Sequence, residues 1–164
     1  MDSTLLEGYR VRLAGLGLEL PTPPPPAGLY VPSQRHGEQL WLSGVTGRTA
    51  TAPARKGVVG DDVSVEDARD SARLAAANLV GAIAAAGGAE EVSAVLLLRG
   101  YVRSGSDFDA HPLVIDAASE VLTTVLQVGP SARAAIGVAS LPGGACVELE
   151  AVVVVGGPRA PRHP

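Results

Sequence analysis

The pair of residues most suited to chemistry is an arginine and a glutamate in the C-terminal part of the chain. Residues 131–141 alternate so that Arg133 shares one face with small residues only. Residues 145–155 alternate in the same way and place Glu148 and Glu150 on one face. A guanidinium can bind a planar carboxylate through two parallel hydrogen bonds, and a carboxylate partly withdrawn from water can hold or transfer a proton. The pair predicts an anion pocket with an acid-base group, and a cross-strand ion pair on a solvated edge remains the alternative.

The other residues capable of metal binding or nucleophilic chemistry lack partners at a useful spacing. His36, His111 and His163 are far apart, and the chain has no His/Cys cluster, so no metal site is expected. No GxSxG motif marks a nucleophilic serine. The single cysteine, Cys146, cannot form an intramolecular disulfide, and a small side chain packed in a strand explains it best.

Charge and hydropathy exclude several classes of protein. The 164 residues include 13 Lys and Arg against 17 Asp and Glu, a balance that argues against binding nucleic acid by neutralising phosphates. No basic segment followed by an apolar stretch begins the chain, and its apolar runs are far shorter than a membrane span. The single cysteine suits a reducing compartment. We therefore expect a cytoplasmic protein with neither a nucleic-acid nor a membrane partner.

Apolar periodicity, together with glycine and proline, predicts the elements that must position these residues. They are a helix over 5–19, a polyproline II connector over 21–26, strands over 29–32 and 39–43 joined at His36-Gly37, a loop over 46–62, a helix from Ser64 to Gly87-Gly88, a strand over 92–102, a helix from Pro112 to Gly129-Pro130, and strands over 131–141 and 145–155. The turn Pro142-Gly143-Gly144 predicts that the last two strands form a hairpin.

This order of elements predicts an α+β fold. A single mixed sheet with the two crossover helices packed on one face is the economical arrangement. The strands are rich in Val, Leu and Ala on both faces, so the sheet face without helices needs cover, and a homo-oligomer is expected. We expect an N-terminal helix and proline-rich connector over 1–27, the α+β domain over 28–156 and a disordered tail over 157–164.

Two C-terminal stretches and two upstream ones carry motifs whose combination is specific. The run from Arg133 to Leu141-Pro142 is followed by Val-Glu-Leu-Glu-Ala at 147–151. Together they resemble the C-terminal signature of the RidA family, also called YjgF or endoribonuclease L-PSP. Upstream, Gly28-Leu29-Tyr30 and Leu42-Ser43-Gly44 resemble its tyrosine and Ser-Gly positions. The resemblance covers about residues 28–155, and the N-terminal Leu-Gly-Leu-Glu-Leu-Pro stretch is similar to a longer, less characterised branch.

The resemblance implies a chorismate-mutase-like fold assembled as a homotrimer, with the sheets facing inward and pockets at the subunit interfaces. It implies a cofactor-free and metal-free deaminase that hydrolyses enamine and imine acids, such as 2-aminoacrylate and 2-iminopropanoate, to 2-oxo acids and ammonia. Arg133 would bind the substrate carboxylate, and Glu148 would position or activate the attacking water. Tyr30 and Ser43 would line the pocket, and the backbone N–H of Gly44 would donate to a bound oxygen.

Two other functions remain open. Val45-Thr46 follows Ser43-Gly44 where family members commonly carry a Gln-x-Pro-like stretch. This altered wall suits a trimeric protein that binds a small carboxylate, as a sensor or accessory, without converting it. The ribonuclease activity in one family name is disfavoured by the acidic balance of the chain and by a signature without histidine.

Overall fold

The sheet is mixed and carries its helices on one face, as predicted. The computed structural model describes residues 3–23, 25–26, 28–86 and 91–157. Its elements are α1 (Ser3–Gly15), β1 (Ser33–His36), β2 (Gln39–Thr46), α2 (Val65–Ala85), β3 (Val92–Arg103), α3 (His111–Leu126), β4 (Ala132–Val138), a 3-10 turn (Pro142–Gly144) and β5 (Val147–Val155). Within the described residues the five strands form one sheet in the order β1-β2-β5-β3-β4, in which β3 and β4 are parallel and the other neighbours antiparallel.

The first two strands form the predicted hairpin, with its first strand shifted along the chain. Gly37, between β1 and β2, has a φ of 59°, a conformation that glycine adopts without steric cost. β1 begins at Ser33, so the strand predicted over 29–32 is wrong. Pro32 has no N–H to donate to a neighbouring strand, and only its carbonyl pairs, accepting from the N–H of Ser43 at 3.0 Å.

The helices follow their capping signals closely. The Ser64 side chain accepts from the N–H of Asp67 at 3.1 Å and begins α2, while Pro112 lies in the first turn of α3. The residues predicted to end α2, Gly87 and Gly88, lie outside the described part of the chain. The buried face of α2 consists mostly of alanine, which allows the helix to lie close to the sheet and to α3.

The N-terminal helix adds a third helix to this layer. Tyr9 and Leu13 of α1 are buried, at 2% and 0% exposure, and α1 contacts both α3 and α2. Arg12 donates from Nε to the carbonyl of Val125 at 2.6 Å, which satisfies a C-terminal carbonyl of α3. α1 is therefore part of the folded unit.

The predicted hairpin between the last two strands is wrong. β5 pairs with β2 on one side and with β3 on the other, while β4 pairs with the opposite edge of β3. The connection crosses the end of β3, where Ser104 N donates to the Val138 carbonyl and Arg103 N to the Cys146 carbonyl. Because β3 is long and apolar, it pairs along both edges, which separates the two strands that follow it.

The two faces of the sheet differ in character. Leu98 of β3 and Leu149 of β5 are fully buried on the face that the helices cover. The opposite face, called here the open face, carries Tyr101 of β3 and Glu148 and Glu150 of β5. β3, predicted to be buried on both faces, is covered on one face only within the protomer. No helix in the described ranges is long and apolar enough to cross a membrane, and residues 158–164 of the predicted tail lie outside them.

Candidate functional site

Glu148 is a partly buried carboxyl group on the open face. It lies in β5 between two cross-strand neighbours, Thr46 of β2 and Tyr101 of β3. Its Oε2 atom is buried and has no hydrogen-bond partner within the described residues. Burial raises the pKa of the Glu148 carboxyl, and the nearby charge of Glu150 raises it further. Such a group holds its proton to a higher pH than an exposed glutamate does, which suits it to acid-base chemistry.

The absence of a side chain at Gly44 makes room for this carboxyl group. The pairing of β2 with β5 is irregular between Leu42 and Val45, so Ser43 and Gly44 lie in a bulge. A Cβ atom added at Gly44 would overlap Oε1 of Glu148 and would lie 3.1 Å from its Cδ. The sequence-predicted residues Ser43, Gly44 and Glu148 are therefore neighbours in the structure.

Ser43 attaches the segment before β1 to this bulge. Its hydroxyl donates to the Val31 carbonyl at 2.6 Å, and its N–H donates to the Pro32 carbonyl at 3.0 Å. Tyr30, the predicted pocket tyrosine, is next to this anchor, with 52% of its surface exposed. The hydroxyl proton of Ser43 thus holds this segment in place, and its oxygen lone pairs remain able to accept a hydrogen bond.

Glu150, two residues beyond Glu148 on the same face, accepts two hydrogen bonds from side chains of β3. Its Oε1 accepts from Nη1 of Arg99 at 2.6 Å and from the hydroxyl of Tyr101 at 3.0 Å. The hydrogen bond to Glu150 raises the pKa of Arg99, while burial and the same carboxylate raise that of Tyr101. Sequence reasoning did not single out Arg99 and Tyr101, although two polar residues at alternate positions of an apolar strand are a usable signal.

Arg133 lies on the other face of the sheet. In the parallel pairing it is opposite Leu98, so its side chain is on the side that the helices cover. Its Nη1 donates to Oδ1 of Asp116 at 2.6 Å and to Oγ of Ser119 at 3.1 Å, both in α3. The side chain is 24% exposed. Asp116 was missed by sequence reasoning, because only the packing of α3 against β4 brings it to Arg133.

Arg133 and Glu148 of one chain do not meet. They lie on opposite faces and on strands separated by β3, with their Cα atoms about 14 Å apart from the register and the usual strand spacing. The alternative of a cross-strand ion pair between them is therefore wrong, as is the expectation that their strands are neighbours. The convergence of Arg133 of one protomer with Glu148 of a neighbouring protomer stays a prediction.

Among the residues that the structure describes, the histidines and the cysteine considered in the sequence are not grouped at one site. His36 is exposed in β1, and Nε2 of His111 is 2.9 Å from Oγ of Ser104. Cys146 is buried with its sulfur 3.4 Å from the hydroxyl oxygen of Ser71, and burial raises the pKa of its thiol, as expected of a packed cysteine. His163 lies outside the described residues. In the described part of the chain, no three His, Cys, Asp or Glu side chains are grouped to hold a metal ion.

Comparison with known proteins identifies the family. The profile described as Endoribonuclease L-PSP matches residues 21–155, and the chain belongs to this family, which is the RidA/YjgF family. It is 35% identical to protein TCP17 of Trypanosoma cruzi over 86% of this chain and 90% of that protein. It is 28% identical to a 2-iminobutanoate/2-iminopropanoate deaminase of Dermatophagoides farinae over 84% and 94%, respectively.

A solved structure has the same fold over almost its whole length. The protein Atu1372 of Agrobacterium tumefaciens superposes with a TM-score of 0.84 at 37% identity, covering 94% of this chain and 97% of that one. The order of helices and strands in this chain is therefore that of a fold seen in a crystal structure of a similar protein.

Proposed function

We propose that this protein hydrolyses small enamine and imine acids to 2-oxo acids and ammonia, with Glu148 as its acid-base group. The observation that carries the proposal is the Glu148 carboxyl, whose Oε2 is buried without a hydrogen-bond partner in the described residues and whose pKa is raised. Family membership and the named activity of the Dermatophagoides relative support the same reaction class.

The reaction needs one group that both donates and accepts a proton. Protonated Glu148 donates to the terminal CH₂ carbon of an enamine acid, a C–H bond forms there, and the nitrogen lone pair forms the C=N bond of an iminium. The resulting carboxylate removes a proton from water as the water oxygen bonds to C2 and the C=N electron pair returns to nitrogen. Glu148, protonated again, then donates its proton to the carbinolamine nitrogen, and the C–N bond breaks as the hydroxyl oxygen forms the C=O bond of the 2-oxo acid. The hydroxyl proton returns to the Glu148 carboxylate as ammonia leaves. An imine acid enters at the second step once protonated Glu148 has given its proton to the imine nitrogen, and a raised pKa of Glu148 favours both roles near neutral pH.

A second protomer is part of the proposal. Arg133, the group proposed to bind the substrate carboxylate, is on the helix side of the sheet, so it cannot reach a ligand beside Glu148 of its own chain. A homotrimer that brings the β4 edge of one protomer to the open face of the next would supply the missing contact. Trp41 and Ile136 of the open face are 50% and 40% exposed, and burial between protomers would remove this apolar surface from water. Light scattering coupled to size-exclusion chromatography should give the mass of three chains, and a monomer at micromolar concentration would contradict the proposed site.

The test of activity is release of a 2-oxo acid from an imino acid generated in the cuvette by an amino-acid oxidase. The wild-type protein should accelerate release over the spontaneous rate, and Arg133→Ala should lose at least about tenfold in kcat/KM because a charged hydrogen-bond partner of the substrate is removed. Arg73→Ala is the matched control, since Arg73 also donates from Nη1 to an aspartate, Asp70, at 2.6 Å but lies on the surface of α2. Equal losses in the two variants would refute the role of Arg133.

Binding without turnover is the second candidate, and one observation favours it. Thr46 is directly opposite Glu148 in the β2–β5 pairing, so its side chain narrows the space beside the carboxyl group. In that case a short 2-oxo acid would raise the melting temperature while no imino acid is consumed. RNA cleavage is not expected of either form, and RNA degradation that persists in the Arg133→Ala, Glu148→Gln double variant would identify a contaminating nuclease.

A further inference from the structure

We infer that Asp116 is a positioning and specificity residue that sets the affinity of Arg133 for carboxylates, an inference that rests on the proposed function. Asp116 lies in α3, outside the motifs at 133–142 and 147–151, and on the face of the sheet opposite to Glu148 of its own chain. It reaches the site only through the guanidinium of Arg133, which it binds at 2.6 Å.

The contacts of Arg133 divide its guanidinium into a used and an unused edge. Nη1 is held by the Asp116 carboxylate and by the hydroxyl of Ser119, both from α3. Nε and Nη2, which together form the other edge, donate no hydrogen bond to the described residues. That edge has the fork geometry that binds a carboxylate through two parallel hydrogen bonds. α3 therefore orients Arg133 and leaves the ligand-binding edge available.

The negative charge of Asp116 also repels the carboxylate of the ligand that Arg133 binds. A substrate carboxylate on the Nε–Nη2 edge would be separated from the Asp116 carboxylate by the width of one guanidinium, and the two anions repel each other. The Asp116 side chain is 47% exposed, so water attenuates this repulsion without removing it. A ligand with a second negative charge would feel the repulsion more strongly, so Asp116 favours small monocarboxylates over dicarboxylates.

Two substitutions of Asp116 separate its charge from its positioning role. Asp116→Asn keeps an oxygen that can accept from Nη1 of Arg133 but removes the negative charge, whereas Asp116→Ala removes both. Pyruvate, 2-oxoglutarate and the neutral pyruvamide serve as probes, with dissociation constants measured by calorimetry in low and high salt. The matched control is Asp70→Asn, because Asp70 holds Arg73 with the same 2.6 Å bond away from the site.

We expect Asp116→Asn to bind pyruvate about three- to tenfold more tightly at low ionic strength, with a larger gain for 2-oxoglutarate and none for pyruvamide. High salt should shrink the gain, and Asp70→Asn should show none. In the imino acid assay KM should fall while kcat stays unchanged, because Asp116 acts only on the binding of the substrate carboxylate by Arg133 and contacts no reacting atom. Asp116→Ala should gain less than Asp116→Asn, since Arg133 loses its orientation.

Unchanged or weaker pyruvate binding by a folded Asp116→Asn protein would overturn the inference. Failure of the proposed function is a separate result, in which Arg133→Ala binds pyruvate as tightly as the wild-type protein. Loss of pyruvate binding in Arg133→Ala, combined with unaltered binding in Asp116→Asn, would leave the proposed function in place and reject the role of Asp116.

Discussion

Replacing Gly44 by alanine should inactivate the protein while leaving its fold intact. The added methyl group would overlap Oε1 of Glu148 and lie 3.1 Å from Cδ, so the carboxyl group must move by roughly 1 Å to restore normal van der Waals contact. A displacement of about 1 Å in a reacting group costs on the order of 100-fold in rate. The stability should change by less than about 1 kcal/mol, because the obstacle is the end of a flexible side chain and Gly44 does not have a positive φ.

The assay is release of 2-oxo acid at saturating imino acid, with the melting temperature measured on the same preparations. Gly15→Ala is the control, since a methyl group there meets nothing within 4 Å. We expect kcat to fall about 100-fold in Gly44→Ala and to stay within twofold of the wild-type value in Gly15→Ala. If Gly44→Ala retained the wild-type kcat with an unchanged melting temperature, the position of the Glu148 carboxyl would not matter for turnover.

Three further predictions concern the activity of Glu148, its effect on stability, and the core. Glu148→Gln should lower kcat by about 100- to 10,000-fold, as expected for loss of a general acid-base group. Burial raises the pKa of Glu148 in the folded protein above its ordinary value of 4.5, so the wild-type protein loses stability as the pH rises from 4.5 through the raised pKa. Glu148→Gln lacks this loss. It should therefore melt at a higher temperature than the wild-type protein at pH 7 and at the same temperature below about pH 4. A melting temperature that is lower in Glu148→Gln at pH 7 would show that the ionised carboxylate stabilises the fold. Leu149→Ala should cost about 2–5 kcal/mol in chemical denaturation because Leu149 is fully buried, whereas Val11→Ala, 61% exposed, should cost under about 0.5 kcal/mol.

Local signals predicted the helices well, whereas long-range pairing determines the order of the strands. The cap formed by Ser64 and Asp67, and Pro112 in the first turn of α3, act within a few residues, so they can be read from the sequence directly. The order of the strands cannot be read in this way. β5 has the same alternating pattern whether its neighbour is β4 or β3, and only the pairing of β3 along both edges selects the second arrangement.

The site shows the same division between local and distant information. Alternation correctly placed Arg133 on a face with small residues, but it did not indicate that this is the face covered by α3. The partner of Arg133 was therefore missed. Motif resemblance identified Ser43, Gly44 and Glu148 as candidates, and the reason they belong together is steric, since the carboxyl group occupies the space that a side chain at position 44 would need.

Glu148 and Glu150 of β5 carry the same functional group but differ in their hydrogen-bond partners, and this difference originates in β3. Arg99 and Tyr101 both bind Glu150, while Glu148 feels the negative charge of Glu150 at its side. Neutralising Arg99 would leave that charge uncompensated and raise the proton affinity of Glu148 further. The pH optimum of the proposed reaction is therefore adjustable from a residue that need not touch the substrate, which gives directed evolution a way to retune that reaction without altering the residues proposed to carry it.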